Sequence, residues 1–323
     1  MKKKNLFELC KKMNLNVMRP KNFHTTLFKN LKRINNNVSK NSGWCSVKKC
    51  PICESKSYFN WMEKCGNSIK KCNICSHGFS NRYAKNMSEV YDSHIENEIK
   101  AAGSKSVYKK KIDYKLNTFA IERVNLLRKF KKNGKLLDYG CGNGWFLRYA
   151  KKYYKSHGYE PTKNLAKLSS DTLKIRVERD TSKYKNSSFD IITSFDVIEH
   201  VPKPKETFQE YFRLLKKNGI LLIFTPNADS VAFDYMKENQ NLVSPPIHLH
   251  YFNKKSINFL GKKNFSLIYF RTAGLDVGDI YAYERDLGDK KFSKFLFKNY
   301  KSIQTFYDNI GFGNHLRAIF KKK

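Results

Sequence analysis

The stretch LLDYGCGNGWFL, residues 136–147, constrains this chain more than any other. Gly140, Gly142 and Gly144 alternate directly after an apolar run. The run reads as a short buried strand, and the residues after the glycines as the opening of a helix. A strand, a glycine turn and a helix in that order belong to a parallel α/β sheet, at the end where such sheets bind nucleotide-like cofactors. A dinucleotide turn is spaced G-x-G-x-x-G and presents its amides to a pyrophosphate. Here the spacing is G-x-G-x-G, and Asp138 stands just before it. A carboxylate at that point repels a pyrophosphate and suits a cofactor that carries positive charge.

S-adenosylmethionine meets that requirement, with a sulfonium, an ammonium group and no phosphate. Gly140, Cys141 and Gly142 would let the backbone approach its methionine portion. Cys141 reads as a small filler rather than a nucleophile. Glu160 follows twenty residues after Gly140, at the end of the next strand (HGYE, 157–160). A carboxylate there is placed to accept from two ribose hydroxyls. Asp180 closes a third strand, LKIRVERD, within reach of an adenine amino group. A fourth strand, FDIITSFD, ends at Phe195 and delivers Asp196 to the rim of the same cleft.

The rest of the pattern is regular from about residue 116. NTFAIERVNLLRKF (117–130) has helical apolar spacing, with Asn133-Gly134 as its stop. Helices are expected from about Asn143 to Tyr154, in PTKNLAKLSS and in ETFQEYFRLLK, the last closed by Lys217-Asn218-Gly219. ILLIFTPN is a fifth, fully apolar strand. Strands alternating with helices imply a mostly parallel sheet with right-handed crossovers. The segment 227–252 breaks this rhythm and reads as a long loop over the cleft. Tyr235, His248, His250 and Tyr251 are its acceptor-side candidates.

LLDYGCGNG, GYEP, FDIITSFDVIEHV, LLKKNGILLIFTPN and HLHYF, in that order, resemble the class I S-adenosylmethionine-dependent methyltransferases. The likeness is greatest to the subgroup around ubiquinone-type O-methyltransferases and small-molecule methyltransferases of cell-surface and secondary-metabolite pathways. It covers about residues 116–280, and GFGNHLRAIFKK resembles the family's last strand. The resemblance implies a Rossmann-like seven-stranded sheet, mostly parallel with an antiparallel last strand. It also implies a small-molecule or glycan-precursor acceptor, methylated at oxygen.

Asp196, Glu199 and His200, with His248 and His250 downstream, admit three readings. Some relatives, including small-RNA 2′-O-methyltransferases, hold a divalent ion with an acid-x-x-Glu-His segment, which would suit Mg or Mn. Alternatively His200 is a general base, with Glu199 beside it. The third reading is structural, with Glu199 and His200 opening a helix and satisfying local hydrogen bonds. In-line methyl transfer mainly needs an aligned nucleophile and excluded water. A base matters for a hydroxyl acceptor and less for an amine.

Cys50-x2-Cys53-x18-Cys72-x2-Cys75 has the spacing of two zinc knuckles facing across a ribbon. Four thiolates close the shell, so the zinc would be structural. Cys45, Cys65 and His77 are spare donors. Many methyltransferases of the resembled subgroup carry such an N-terminal module, as do some rRNA guanine methyltransferases. The chain thus divides into a basic extension (1–42), a cysteine module (43–85), a connector (86–115) and a methyltransferase domain (116–323). A short amphipathic helix is expected near Leu6–Met13, and the basic extension otherwise reads as a solvated arm.

Composition sets the outer bounds. With 323 residues, 40% of them hydrophobic, the chain can bury a core. No apolar run approaches the roughly 20 residues of a membrane span, and no signal-peptide core is visible at the N-terminus, so a cytoplasmic location is expected. The net charge of +35 comes mostly from lysines spread along the chain. That dispersion favours compositional drift over a dedicated anionic partner. An RNA methyltransferase using the cysteine module and basic arms is the competing function, and a non-catalytic scaffold on the same fold is a third.

Overall fold

The computed structural model describes residues 14–91, 93 and 113–323. The expected helix at Leu6–Met13 and most of the 86–115 connector lie outside them. Along the chain run helix α1 (Phe23–Asn41), then strands β1 (Trp44–Ser46), β2 (Tyr58–Lys64), β3 (Asn67–Cys72), β4 (Gly78–Ser80) and β5 (Arg82–Ala84). Next come α2 (Ile121–Arg128), β6 (Lys135–Tyr139), α3 (Trp145–Ala150), β7 (Lys155–Tyr159), α4 (Lys163–Leu173) and β8 (Val177–Glu178). They are followed by β9 (Phe189–Phe195), α5 (Pro204–Leu214), β10 (Leu215–Pro226), α6 (Val231–Met236) and β11 (His250–Tyr251). The chain continues through β12 (Phe265–Thr272), α7 (Asp276–Leu287), α8 (Lys290–Ile310) and β13 (His315–Lys322).

These elements form two compact units that do not follow chain order. One holds the described residues through 93 with Pro226–Phe259 and Arg271–Leu316. The other holds residues 113–225 with Leu260–Phe270 and Arg317–Lys323. Residues 116–323 are thus shared between the two units.

The second unit carries a seven-stranded sheet in the order β12-β13-β10-β9-β6-β7-β8. The pairs β10/β9, β9/β6, β6/β7 and β7/β8 are parallel. Between β12 and β13 the hydrogen bonds Lys323 N to Asn264 O and Ala273 N to His315 O run the strands in opposite directions. The last strand is thus antiparallel and inserted beside the sheet edge. Leu136, Phe146, Leu147, Leu173, Ile191, Leu222 and Ile319 fill one core. The central strands are apolar on both faces, as strands covered by helices must be. α5 opens on Pro204, whose fixed φ suits a first helical turn.

The first unit contains a four-stranded sheet, β11-β4-β3-β2, and a β1–β5 pair. α1 buries His24, Leu31, Ile34, Asn35 and Val38 along one stripe. Leu31, Ile34 and Val38 pack with Ala84, Val90 and Ile247. Most of residues 23–41 is consequently core-forming helix rather than a solvated arm. The 227–252 segment is also not an open loop. It contributes α6 and then β11, which pairs antiparallel with β4 through His250–Phe79 and Tyr251–Gly78. Ser230 caps α6 by accepting from Phe233 N.

Other boundaries move. The third strand shrinks from LKIRVERD to Val177–Glu178, and the helix expected from Asn143 to Tyr154 is six residues, Trp145–Ala150. Lys217-Asn218-Gly219 lies within β10, where the register shifts between Leu215 and Ile220. α2 ends at Arg128, ahead of Asn133-Gly134, and a π-helical turn at Leu116–Ala120 precedes it.

Candidate cofactor site and cysteine centre

The sheet register itself explains the twenty-residue spacing between the glycine turn and Glu160. β6 and β7 pair in parallel with Asp138 opposite Gly158 and Tyr139 opposite Tyr159. The next residue on each strand, Gly140 and Glu160, therefore leaves the sheet at the same edge. Tyr159 O accepts from Gly140 N (2.8 Å) and Cys141 N (2.9 Å), which anchors the turn to β7. Glu160 is buried and held at both ends. Its Oε2 accepts from Gly142 N (2.9 Å) and its Oε1 from Thr162 N (3.0 Å). Each carboxylate oxygen has two lone-pair directions, so one per oxygen is left for a further donor. Burial raises the Glu160 pKa while the two amides oppose the rise.

All three glycines of the turn have φ between +55° and +79°, where a Cβ is costly. Two are also sterically required. A Cβ on Gly140 would lie 2.5 Å from Val197 Cγ2, and one on Gly144 would collide with Ser169 Oγ. A Cβ on Gly142 would meet nothing within 4 Å. The turn thus offers bare backbone beside open space at Gly142, next to the Glu160 carboxylate. Cys141 turns its side chain the other way, into the core near Gly158 and Ser169, where burial pushes the thiol pKa up.

The turn is a poor phosphate cradle. The amides of Gly140 and Cys141 are bonded to Tyr159, that of Gly142 to Glu160 and that of Gly144 to Cys141 O. Phosphate loops need such amides free to point at the ligand. Behind the turn Asp138 is 3% exposed and accepts from Thr193 Oγ1 at 2.7 Å. Burial pushes its pKa up to about 7, against the pull of Thr193 and Arg123. A buried carboxyl in that state gains from a neighbouring cation. Bare backbone, paired acceptors and an acid seeking a cation together fit S-adenosylmethionine better than a dinucleotide.

Phe195 ends β9 and is buried between Phe146 and Phe224. Asp196 follows in the left-handed region, at φ 57°, and its amide donates to Phe224 O. Its carboxylate lies 3.5 Å from Arg123 Nη2. Arg123 is the residue that sequence reasoning missed. It occupies the buried stripe of α2 with Val124, Leu126 and Leu127, and its guanidinium lies 4.3–4.8 Å from the ring centroids of Trp145, Phe195 and Phe224. Among the described residues its Nε and Nη1 have no hydrogen-bond acceptor. The only local signal was an arginine on an apolar stripe, between Ala120 and Leu127.

Glu199 and His200 do not begin a helix. They form a turn in which His200 N donates to Val197 O, and α5 starts later, at Pro204. Glu199 is 1% exposed and its Oε2 accepts from Thr225 Oγ1 at 2.9 Å. Its Oε1 has no hydrogen-bond partner among the described residues and lies 3.9 Å from His200 Nε2. Burial first, and the charge of Asp196 second, push the Glu199 pKa well up. Among these neighbours the neutral acid is favoured.

Asp180 has a local partner. It is exposed beyond β8 and caps the turn Thr181–Lys183, accepting from Ser182 N (2.8 Å) and Ser182 Oγ (2.7 Å). Those bonds lower its pKa. In the first unit, Tyr235 is exposed and donates to Glu284 Oε1, while His248 Nδ1 bonds Leu242 O. His250 Nδ1 lies 3.1 Å from His77 Nε2, and Tyr251 is fully buried against Trp61 and Phe233. Strand pairing with β4 holds both His250 and Tyr251 in place.

Cys50, Cys53, Cys72 and Cys75 converge. One sulfur from each lies within 4.8 Å of the other three, with Cys50–Cys75 at 3.5 Å and Cys53–Cys72 at 3.4 Å. Zinc–sulfur bonds of ~2.3 Å in a tetrahedron set sulfur–sulfur distances of roughly 3.8 Å, so the four thiols fit one ion. Cys45, Cys65 and His77 stand outside this set.

Comparison with known proteins places these features. Residues 112–265 match the family described as "Methyltransferase domain". The chain is 29% identical over 173 residues to a ubiquinone biosynthesis O-methyltransferase of Pelagibacter ubique, covering 45% of this chain and 70% of that protein. It is 30% identical over 133 residues to phosphoethanolamine N-methyltransferase 1 of Arabidopsis thaliana, covering 36% of this chain and 26% of that one. A solved S-adenosylmethionine-dependent methyltransferase from Thermotoga maritima aligns with a TM-score of 0.46 at 17% identity, over 63% of this chain and 89% of its own.

Proposed function

We propose that this chain, a class I S-adenosylmethionine-dependent methyltransferase, methylates a hydroxyl oxygen of a small molecule or glycan precursor. The observation that carries the cofactor assignment is the Gly140–Gly144 turn with Glu160 clamped to it and Asp138 buried behind it. S-adenosylmethionine supplies a methyl group on a sulfonium, a carbon already activated for displacement. Glu160 is preoriented by two amides to accept from paired ribose hydroxyls. Asp138 offers a carboxylate to the cationic methionine portion, and Gly142 lets that portion approach the main chain. Arg123 is a fixed buried cation that positions Asp196 at the strand end.

His200 is our candidate for the group that takes the acceptor proton. It follows Asp196 by four residues, on the turn that β9 delivers to the cofactor rim. Glu199, kept neutral by burial, adds no competing negative charge beside it. Support for oxygen rather than nitrogen comes from the Pelagibacter relative, whose name is that of an O-methyltransferase. The Arabidopsis relative acts on an amine by name and covers less of this chain. We assign zinc to Cys50, Cys53, Cys72 and Cys75 as a structural ion, because four thiolates leave no open position for chemistry.

Transfer of a radiolabelled methyl group to a panel of catechols, sugar hydroxyls and primary amines tests the reading. Label should reach the hydroxyl acceptors, and His200→Ala should lower that rate by about 10²-fold or more. Label on amines alone, with His200→Ala unaffected, would overturn the oxygen assignment.

A further inference from the structure

Helix α8 presents an outward face that no part of the methyltransferase reading uses. Its buried side is Ser293, Leu296, Tyr300, Gln304 and Asp308. On the opposite side Phe295 is 54% and Phe306 59% exposed, with Ile310 and Phe312 about half exposed beyond them. Eleven residues are three helical turns, so Phe295 and Phe306 project in one direction, and Ile310 follows one turn later. From Phe295 to Ile310 these apolar side chains span ~22 Å at 1.5 Å per residue, with Asn299 and Ser302 between Phe295 and Phe306.

The charge along α8 has one sign. Lys290, Lys291, Lys294, Lys298 and Lys301 are exposed on the same helix. The helix contains a single acid, Asp308, and it is 2% exposed. Asp289 is engaged in capping, accepting from Lys291 N and Phe292 N. At the same end, a cavity of about 400 Å³ is lined by Tyr281, Arg285, Lys290, Ser293, Lys294 and Phe297. Arg285 is paired with Asp286, and Lys290 and Lys294 beside Tyr281 and Phe297 suit a negatively charged headgroup attached to an apolar tail.

We propose that this face of α8 docks the protein on an anionic phospholipid bilayer, with Phe295, Phe306, Ile310 and Phe312 entering the interface and the lysines meeting the headgroups. Phe295 and Phe306 aligned on one exposed face, with lysines flanking its N-terminal half, fit a helix lying in the plane of a membrane surface. A second copy of the chain fits poorly, because it would bring two lysine-rich helices together at like charge. Nucleic acid would use the lysines and leave Phe295, Phe306 and Ile310 in water.

The test uses the full chain and vesicles of phosphatidylglycerol and phosphatidylcholine in equal parts, against phosphatidylcholine alone, read by co-sedimentation. The unaltered chain should sediment with the anionic vesicles and stay in solution with the neutral ones. Phe295→Ser with Phe306→Ser, and separately Lys291→Glu, Lys294→Glu and Lys298→Glu together, should each weaken partition by about tenfold or more. Both variants alter exposed side chains and should keep the far-UV spectrum and S-adenosylmethionine binding of the parent. The proposal is overturned if the unaltered chain ignores anionic vesicles, or if both variants bind them as the parent does. It is equally overturned if the phenylalanine variant converts a dimer to a monomer with vesicle binding unchanged.

Discussion

Asp138 shows how much a single buried acid can report. Its carboxyl is shut from water, accepts from Thr193 and has a pKa pushed up to about 7. A cationic ligand favours the ionised form. Below pH 7 the ligand must therefore displace a proton to bind, and above pH 7 it need not. Affinity for S-adenosylmethionine should rise with pH, by up to about tenfold per unit below the pKa, and level off above it. Asp138→Asn should remove that slope and bind weakly throughout. Calorimetric titrations between pH 5.5 and 8.5 check this, and a parent affinity that is flat across the range would contradict the role assigned to Asp138. Arg123, by contrast, was not legible as a site residue. A buried arginine looks in sequence like any exposed one until the rings of Trp145, Phe195 and Phe224 are assembled around it.

Elements were legible in proportion to how local their causes are. The β6–turn–α3 unit is specified by contiguous residues, an apolar run and then three glycines, and its strand and turn form where the sequence places them, with a shorter helix after them. β9 and α5 likewise follow from strand and helix periodicity. β8 is only two residues because Asp180 turns back to cap the next segment, and a propensity for extended structure does not reveal that competitor. β11 is further still from legibility. Its two residues form a strand only because β4, some 170 residues earlier, offers an edge. Gly78 makes that approach possible, since a Cβ there would lie 2.8 Å from Tyr251 Cβ and 2.9 Å from Trp61 Cζ3. The cysteine ribbon was readable because metal spacing is a short-range signature, and it carries a prediction of its own. Protein purified without chelator should hold one zinc per chain, and Cys53→Ser or a strong chelator should release it and lower the unfolding temperature by several degrees. Metal analysis with a thermal melt decides this, and a metal-free chain that melts unchanged after chelation would count against a structural zinc.

For the molecule as a whole, the seven-stranded sheet is assembled from three separate stretches of chain, and the intervening residues 226–259 and 271–316 join the N-terminal elements in the other unit. A reading that moves along the sequence sees neither break, because each stretch on its own has ordinary α/β periodicity. The chain-wide charge of +35 concealed something similar. Spread over 323 residues it resembles drift, and only the folded α8 sets five exposed lysines near the exposed Phe295 and Phe306. Among the described residues no helix is long and apolar enough to cross a membrane. What unites the account is the second unit's sheet, whose β6/β7 register brings Glu160 to the glycine turn. Isothermal titration of S-adenosylmethionine into the parent and Glu160→Ala is the most direct test of that claim. The account predicts micromolar binding by the parent and a loss of about tenfold or more in the variant, each ribose hydrogen bond to a charged acceptor being worth roughly 1.5–3 kcal/mol. A parent chain that binds no S-adenosylmethionine, or a folded Glu160→Ala that binds it as tightly as the parent, would contradict it.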